Sequence, residues 1–342
     1  MSKVNKNRHI FYVATSNLLN FANPHRVFYK NAKAYDDQSY QTKLNGLTQL
    51  LAPTQANVIA VQEIWDKDAL IDLAINLGFD ATNVIAPLAS NDVSSQYTKG
   101  EGAKNTPAVG FISNYKCLDI EVLEHFCDKA VIDIPDLGKY AVFNRPALMV
   151  TFEIAGKPVI FINAHLKSKR PHFLRDANGS PLEDIENPNI RVRAKLRSLC
   201  MRAAEAAAIR MQVIKKLANT HCPLILMGDM NDVTMSVTTQ LMAETGDVNY
   251  NRSMRDTVLF DATRIQTKYG WMHDVAYSHI HQGMPEIIDQ IFVSEEFLND
   301  GKFSVGYVER VDYFNDHLKW DYKNRASDHG VVRAKLVLNA VD

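Results

Sequence analysis

Short apolar runs recur along the whole chain, and several of them end in an acid, an amide or a histidine. The runs are Val58–Val61 before Gln62 and Glu63, Ile160–Ala164 before His165, and Pro223–Met227 before the segment Gly228–Asn231. A short run without polar alternation is typical of a strand that is buried on both faces. Strands of that kind need covering layers on both sides, so the pattern restricts the chain to layered α/β architectures.

Helical patterns alternate with these strands. Residues 38–51 carry Leu44, Leu47 and Leu51 at helical spacing, and a longer helix is predicted for about residues 191–218. The other predicted strands are residues 9–14, 108–112, 147–154, 287–293 and 331–338. Because strands outnumber helices and the two are interleaved, we expect two sheets flanked by helices. No linker rich in Pro, Gly or Ser divides the chain, which predicts a single domain over residues 1–342.

The composition is that of a soluble globular protein, with 46% hydrophobic and 23% charged residues over 342 positions. The net charge of −1 gives no argument for binding a polyanion, so any such attraction has to be local. The four cysteines have no CxxC spacing, which argues against zinc and redox motifs and favours a reduced compartment. With neither a secretion signal nor a membrane-spanning stretch in the sequence, we expect a cytoplasmic protein without a membrane partner. The oligomeric state is left open.

Two of the predicted strands carry carboxylates in places where apolar or turn residues are usual. Asp229 and Asn231 are one residue apart after a buried run, so their side chains share a face if the strand continues. Asp289 lies inside an apolar run. Burying a carboxylate there without a hydrogen bond would cost on the order of several kcal/mol of folding free energy. Asp289 therefore needs a dedicated partner, and His329 is the chemical candidate, because a carboxylate would orient its ring and hold it cationic.

A histidine and a group of cations follow the predicted strand at residues 159–163. His165 is followed by Lys167, Lys169 and Arg170, which together suit a phosphate-facing corner. A hydrogen-bonded core histidine is the equally simple alternative.

Asn17 and Glu63 each follow a predicted strand near the start of the chain. Taken alone, Asn17 fits a turn and Glu63 fits an exposed surface. Taken with the other acids they suggest more, since carboxylates at strand ends suit a hard divalent cation and a terminal Asp-His pair suits a phosphoryl oxygen. The combination predicts metal-assisted cleavage of a phosphate ester.

Seven segments in this order resemble the endonuclease/exonuclease/phosphatase superfamily of metal-dependent phosphoesterases. They are Thr15-Ser16-Asn17, Val61-Gln62-Glu63, Asn144-Arg145-Pro146, Asn163-Ala164-His165-Leu166, Gly228-Asp229-Met230-Asn231, Ile288-Asp289 and Ser327-Asp328-His329. The segments Ile162–Arg170 and Gly283–Ser294 resemble a bacterial branch of that superfamily. The resemblance implies a four-layered α/β/β/α sandwich with two mixed, mainly antiparallel sheets flanked by helices.

The resemblance also implies a role for each matching residue. Asn17, Glu63 and Asp328 would hold Mg²⁺ or Mn²⁺. Asp229 would orient or deprotonate the attacking water, and Asn231 would position the water or the phosphate.

The remaining matches would act on the phosphate itself. His329, held by Asp289, would stabilise the charge that develops on the phosphoryl oxygen, and His165 would contact the phosphate or assist the leaving group. Arg145 and Lys167 would bind the phosphate. The implied reaction is in-line attack by water, with metal and cations neutralising the growing negative charge.

A nucleic acid is the expected substrate, so a nuclease is the expected function. Eight cations against the single acid Glu205 in the helix near residues 191–218 suggest either a surface that contacts a phosphate backbone or a solvated face opposite Leu196 and Leu199. A loop insertion is expected at about residues 168–193, and residues 171–190 within it are a candidate mobile lid or substrate loop. Aromatic residues that could stack on bases or simply fill the core are Tyr269, Trp271, Tyr277 and Phe314.

Two other functions stay open. The first is a phosphomonoesterase or a lipid or inositol phosphate phosphoesterase. Against it, Leu226 or Met227 stands where inositol phosphatases carry Trp, and Ile288-Asp289-Gln290 replaces their Cys-Asp-Arg. The second is a binding module without catalysis. The acting residue is present in every motif, which argues against this option. Gln290 also replaces the Tyr or His that commonly follows the motif aspartate, which argues against a claim to a specific nuclease subtype.

Overall fold

The computed structural model describes residues 8–27, 33–87, 107–176, 179–243, 252–267, 276–281, 283–299, 301–319 and 326–339. Its strands are β1 (Arg8–Phe21), β2 (Val58–Ile64), β3 (Val84–Ile85), β4 (Ala108–Ser113), β5 (Lys116–His125), β6 (Ile132–Ile134), β7 (Gly138–Tyr140), β8 (Val142–Ile154), β9 (Lys157–His165), β10 (Leu224–Asp229), β11 (Phe260–Asp261), β12 (His279–His281), β13 (Met284–Glu286), β14 (Asp289–Val293), β15 (Gly306–Phe314) and β16 (Val331–Asn339). Its helices are α1 (Asp37–Leu51), α2 (Lys67–Asn76), α3 (Pro188–Leu217), α4 (Val237–Ala243) and α5 (Ala262–Ile265).

Two mixed sheets form the centre of the fold. The first has the strand order β15-β16-β1-β2-β4-β3, and the second has the order β11-β14-β10-β9-β8-β5. Within each sheet one central pair is parallel, β1 with β2 and β9 with β10, and the other pairs are antiparallel. Each parallel pair brings two strand carboxyl ends to the same sheet edge, which is where the predicted site residues lie.

The inner faces of the two sheets pack against each other, and helices cover the outer faces. Strand β9 shows how one apolar run serves both layers, because its side chains alternate between two sides. Val159 and Phe161 belong to the core between the sheets, whereas Ile160 and Ile162 pack with Ile209 of α3 on the outer face. Helices α1 and α2 cover the outer face of the first sheet in the same way. The predicted four-layered α/β/β/α sandwich is confirmed.

Most predicted elements lie within a few residues of the observed ones, but two long strands were missed. Strand β5 is at the edge of the second sheet and β15 is at the edge of the first. An edge strand has polar residues on its exposed positions, and β5 in addition exposes Leu118, Ile120 and Val122, so neither strand has the uninterrupted apolar run that marked the central ones. Among the described residues no helix is both long and apolar enough to span a membrane.

The strand ends at the site are irregular. Glu63 has φ 61° in β2, where the pairing with β4 shifts register between Gln62 and Ile64. Leu19 and Asn20 also have positive φ, where β1 shifts register against β2. A bulge of this kind re-aims a side chain that would otherwise alternate with its neighbours. The bulge therefore explains why Glu63 is partly exposed, whereas the other residues of β2 are buried.

Gly228 is required by the close approach of β10 to β9. Its φ is 143°, and a Cβ there would lie 1.9 Å from the carbonyl oxygen of Ala164. We predict that Gly228→Ala destabilises the protein by about 3 kcal/mol or more, measured by urea unfolding. The control is Gly301→Ala, whose Cβ would meet nothing closer than 3.2 Å. Equal effects of the two substitutions would contradict the close approach.

Candidate active site

Asp229, the last residue of β10, is the centre of the candidate site. Its side chain is 1% exposed. One oxygen, Oδ1, accepts the backbone N–H of Asn231 at 2.9 Å. The other, Oδ2, accepts the side-chain amide of Asn17 at 3.1 Å and lies 3.3 Å from Nε2 of His165. The carboxylate therefore joins a residue of the first sheet to two segments of the second.

Asp289 and His329 form the buried pair that the sequence predicted. The Nδ1 atom of His329 lies 2.8 Å from Oδ2 of Asp289, which is fully buried at the start of β14. This bond leaves Nε2 of His329 facing Asp229, at 3.9 Å from its Oδ2. Burial alone would lower the pKa of His329, but Asp289, Asp229 and Asp328 raise it well above the usual value, so the ring holds a second proton at neutral pH.

Ser327 fixes the loop that carries His329. Its hydroxyl donates to the carbonyl of Asn17 at 2.6 Å and accepts the backbone N–H of His329 at 3.0 Å. The same loop is held from its other side by His279, which forms an isolated bridge with His329 and whose ring centre is 5.0 Å away. The loop is thus positioned by both the end of β1 and the β12–β13 hairpin.

Nε2 of His165 faces the same carboxylate oxygen as His329, at 3.3 Å from Oδ2 of Asp229. Burial first, and then the charges of Arg145, His329 and Lys167, lower its pKa well below the usual value. The ring is therefore neutral at neutral pH, in contrast to His329. Its Nδ1 is buried and has no hydrogen-bond partner within the described part of the chain.

The two predicted phosphate-binding cations lie around the carbonyl of Leu166. Nη1 of Arg145 donates to this oxygen at 3.3 Å, and the side-chain amide of Asn231 donates to it at 3.0 Å. Lys167 is the next residue, and burial together with Arg145 lowers its pKa to about 8. Arg145 and Asn231 thus meet at the carbonyl that directly precedes Lys167, whereas Lys169, which was predicted in the same corner, pairs with Asp232 and Glu286.

Glu63 and Asp328 lie near a buried lysine of α1. The ammonium of Lys43 donates to the carbonyls of Leu19, at 3.2 Å, and Ala326. Burial lowers the pKa of Lys43 to about 8, while the charges of Asp328 and Glu63 act to raise it. Both carboxylates therefore lie within electrostatic range of the same ammonium, at the ends of β2 and of the loop before β16.

The oxygen atoms around this position fit a hard divalent cation. Oδ1 of Asp328 is buried without a hydrogen-bond partner among the described residues, which leaves this oxygen available to a cation. One oxygen of Glu63 accepts the N–H of Asn20 at 3.0 Å, and Oδ1 of Asn17 accepts the N–H of Leu19 at 2.9 Å, which orients both groups. A second oxygen of Glu63 and a second lone pair of Asn17 are left for a cation.

Asp229, Asp289 and His329 also place ligand atoms within 4.8 Å of one another, in an arrangement that could hold a metal ion. His329 already binds Asp289 through Nδ1, and Oδ2 of Asp229 already accepts the side-chain amide of Asn17, so only part of each group is left for an ion. This cluster and the oxygen atoms of Asn17, Glu63 and Asp328 are therefore two candidate metal positions.

Comparisons with known proteins identify the family of this chain. The sequence profile of the Endonuclease/Exonuclease/phosphatase family matches residues 14–329. The chain belongs to this family. A comparison with curated protein sequences gives no match.

Solved structures of the family share the fold over nearly the whole chain. An endonuclease/exonuclease/phosphatase from Bacteroides vulgatus is 16% identical, with a TM-score of 0.55 over 96% of this chain and 99% of that one. A mannosyl-6-phosphatase from Bacteroides thetaiotaomicron is 14% identical, with a TM-score of 0.54 over 95% and 99%. The human Nocturnin catalytic domain with bound sulfate is 12% identical, with a TM-score of 0.54 over 97% of each chain. At these identities the likeness shows the fold alone.

The interpretation of α3 needs a correction. The sequence suggested that Leu196 and Leu199 face the core and that the cations face solvent or a phosphate backbone. In the structure, Leu196 and Leu199 are 48% and 46% exposed, whereas Arg197 and Arg202 are 1% and 5% exposed. Acidic partners explain the inversion, because Arg197 binds Glu183 and Arg202 binds Asp232.

Other cations of α3 are bound within the protein as well. Arg193 pairs with Asp136, and Lys216 pairs with Glu121. These paired cations of α3 are therefore not a free surface for a polyanion. The ion pair of Arg197 with Glu183 also holds the segment before α3. That this segment is an insertion that acts as a lid stays a prediction. The single-domain assignment stays a prediction as well.

Two of the four aromatic candidates for base stacking lie in the described residues, and both pack within the protein. Tyr277 is buried, and its carbonyl accepts the side-chain amide of Asn315 at 2.8 Å. Phe314 is half-buried, with the guanidinium of Arg333 5.0 Å from its ring centre. Tyr269 and Trp271 lie outside the described residues.

Several residues of the site were not assigned a role from the sequence. Lys43 is four residues before Leu47 and therefore lies on the buried face of α1. A cation at such an apolar position was a signal in the sequence. Glu205 was visible as the one acid in a basic helix. Arg202 and Ser327 gave no comparable signal, because each depends on contacts between segments that are distant in sequence.

The corrected orientation of α3 is testable by two substitutions in adjacent positions. We predict that Arg197→Met destabilises the protein by about 3 kcal/mol, because it leaves Glu183 and Asp136 without their buried partner. Leu196→Gln should change the free energy of unfolding by less than about 0.5 kcal/mol, since the side chain is exposed and both residues are good helix formers. Chemical denaturation of the two variants measures both values. The reverse order would restore the original interpretation.

Proposed function

We propose that this protein is a divalent-metal-dependent phosphoesterase that hydrolyses phosphate esters by in-line attack of water, with a nucleic acid as the first substrate class to test. The family contains both nucleases and phosphatases, so the reaction class is the firmer part of the proposal. The observation that carries it is the shared contact of Asp229 with Asn17, His165 and Asn231, beside the Asp289–His329 pair.

Asn17, Glu63 and Asp328 are the proposed ligands of Mg²⁺ or Mn²⁺. Their oxygen donors match the preference of these ions, and the unpartnered oxygen of Asp328 supports the choice. The bound ion would act as a Lewis acid on a phosphoryl oxygen.

Asp229 is the proposed general base or orienting group for the attacking water. Burial raises the pKa of its carboxyl and the charge of Asp289 adds to this, although His329 acts against it. A carboxylate with a raised pKa is a better proton acceptor than a free one. Asn231 would position the water or the phosphate, because its backbone N–H binds Asp229 and its side chain is directed to the Arg145 corner.

The two histidines would act on the phosphate from different protonation states. Protonated His329 would stabilise charge on the phosphoryl oxygen, and Asp289 would keep it oriented and charged. Neutral His165 would contact the phosphate or assist the leaving group. Arg145 and Lys167 would bind the remaining phosphate oxygens.

We predict that His329→Ala, Glu63→Ala and Asp229→Asn each lower turnover by about a hundredfold or more while the fold is kept. The matched control is Asp261→Asn, a buried carboxylate that accepts the N–H and hydroxyl of Thr263 away from the site. Steady-state turnover with Mg²⁺ and circular dichroism measure the two parts of the prediction. Near wild-type turnover of His329→Ala would show that the site assignment is wrong.

A small phosphate ester is the second candidate substrate, and one observation favours it. The α3 arginines that suggested a polynucleotide surface are used in internal ion pairs, and the net charge is −1. A lipid or inositol phosphate belongs to the same second class. A catalytically silent binding module is the least supported option, since the acting residues are assembled in contact with one another.

The substrate class can be tested with purified protein and Mg²⁺ or Mn²⁺. The panel is single- and double-stranded DNA, RNA, bis(p-nitrophenyl) phosphate and p-nitrophenyl phosphate, each with and without EDTA. For a nuclease we expect cleavage of a polynucleotide that EDTA abolishes, with affinity that falls steeply as salt rises. Activity confined to the small esters, with weak salt dependence, would select the second candidate. No cleavage of any substrate would count against the proposed function.

A further inference from the structure

Glu205 is a fully buried carboxylate on the inner side of α3 whose contacts all lead to the proposed phosphate-binding corner. Its Oε1 accepts the hydroxyl of Tyr140 at 2.6 Å and the backbone N–H of Asn144 at 2.9 Å. Its Oε2 accepts the backbone N–H of Lys167 at 2.7 Å. The two backbone donors therefore belong to the segments at the ends of β8 and β9 that carry Arg145 and Lys167.

Arg202, one turn earlier in α3, holds the same segment from its other side. Its Nη1 donates to the carbonyl of Lys167 at 3.3 Å, and its Nε donates to Oδ2 of Asp232 at 3.2 Å. The backbone N–H and the carbonyl of Lys167 are thus both bound by side chains of α3. Asp232 follows Asn231 directly, so the contact reaches the segment after β10 as well.

We infer that Glu205, together with Arg202, is a positioning residue that fixes the backbone of Arg145 and Lys167 so that their side chains are preorganised to bind phosphate. The inference rests on the proposed function, because it assumes that these two cations bind the phosphate. Neither α3 residue needs to touch substrate for this role.

The physical basis is that three donors converge on one carboxylate. An ionised carboxylate has only acceptor sites, and it can therefore satisfy Tyr140, Asn144 and Lys167 at once. A glutamine of the same shape presents an NH₂ group to one oxygen position, which leaves one of the donors unpaired and moves its segment. An unpaired buried donor is costly, so the local backbone has to shift.

A misplaced binding cation has a characteristic kinetic result. Loss of binding that is equal in the ground state and the transition state raises KM without lowering kcat. We predict that Glu205→Gln raises KM for the hydrolysed ester, and Kd for inorganic phosphate with Mg²⁺ present, each by about tenfold. The value of kcat should stay within about threefold of the wild type. Phosphate binding is measured by calorimetry, which requires no turnover.

The matched control is Glu183→Gln. Glu183 also accepts a backbone N–H, that of Leu174 at 2.8 Å, and also binds an arginine of α3, but it does not contact the Arg145 or Lys167 segments. It should change KM and Kd by less than about twofold. Equal values of both parameters in the two variants would overturn the inference and leave the proposed function intact.

A double-mutant cycle separates positioning from a general loss of structure. In a Lys167→Met background, Glu205→Gln should weaken phosphate binding by less than about threefold, because one of the cations on which it acts is already gone. An unchanged tenfold effect would show a structural role only. If Glu205→Gln does not fold, Arg202→Lys replaces it, since lysine keeps the charge but cannot reach Lys167 and Asp232 together. Wild-type KM and Kd in that variant would also overturn the inference. A wild-type protein that hydrolyses no ester and binds no phosphate would instead refute the proposed function.

Discussion

Two buried amides join the two sheets directly beneath the site. The side chain of Gln62 in β2 donates to Oδ1 of Asn163 in β9 at 2.7 Å, and the amide of Asn163 donates to backbone carbonyls of β2 and β4 at 3.0 and 2.8 Å. Both side chains are fully buried, so these bonds are costly to break. Gln62 precedes Glu63, and Asn163 is two residues before His165. The pair therefore fixes the relative position of the proposed metal ligands on one sheet and the phosphate-contacting residues on the other, which an apolar interface alone would leave free to slide.

The central strands and the residues at their ends were predictable because burial on both faces leaves an uninterrupted apolar run, and a polar residue after such a run stands out. The position of Asp289 inside a buried strand predicted that it needs a dedicated partner, with His329 as the chemical candidate. Oδ2 of Asp289 and Nδ1 of His329 lie 2.8 Å apart. The edge strands β5 and β15 were not predictable in this way, because their exposed positions break the apolar pattern. The register shifts at Glu63 and Asn20 were not predictable either, since both residues adopt positive φ without being glycine.

Helix α3 shows where periodicity misleads. Its leucines and arginines were assigned to faces by hydrophobicity, and the structure reverses the assignment at Leu196 and Arg197. The reason lies outside the helix, because a buried guanidinium is tolerated only where carboxylates and carbonyls receive its donors. Arg197 binds Glu183 and the carbonyl of His172, both in the segment before α3, and Asp136, which lies before β7. A pattern within one helix contains no information about such partners.

The same helix connects the fold to the chemistry. In the proposed function, the metal ligands and the Asp-His pair serve the reaction, whereas the cations at the strand ends bind the phosphate oxygens. In this protein those cations are held by α3 through the backbone of Asn144 and Lys167. A helix that covers the outer face of a sheet can thereby set the geometry of a site at the sheet edge.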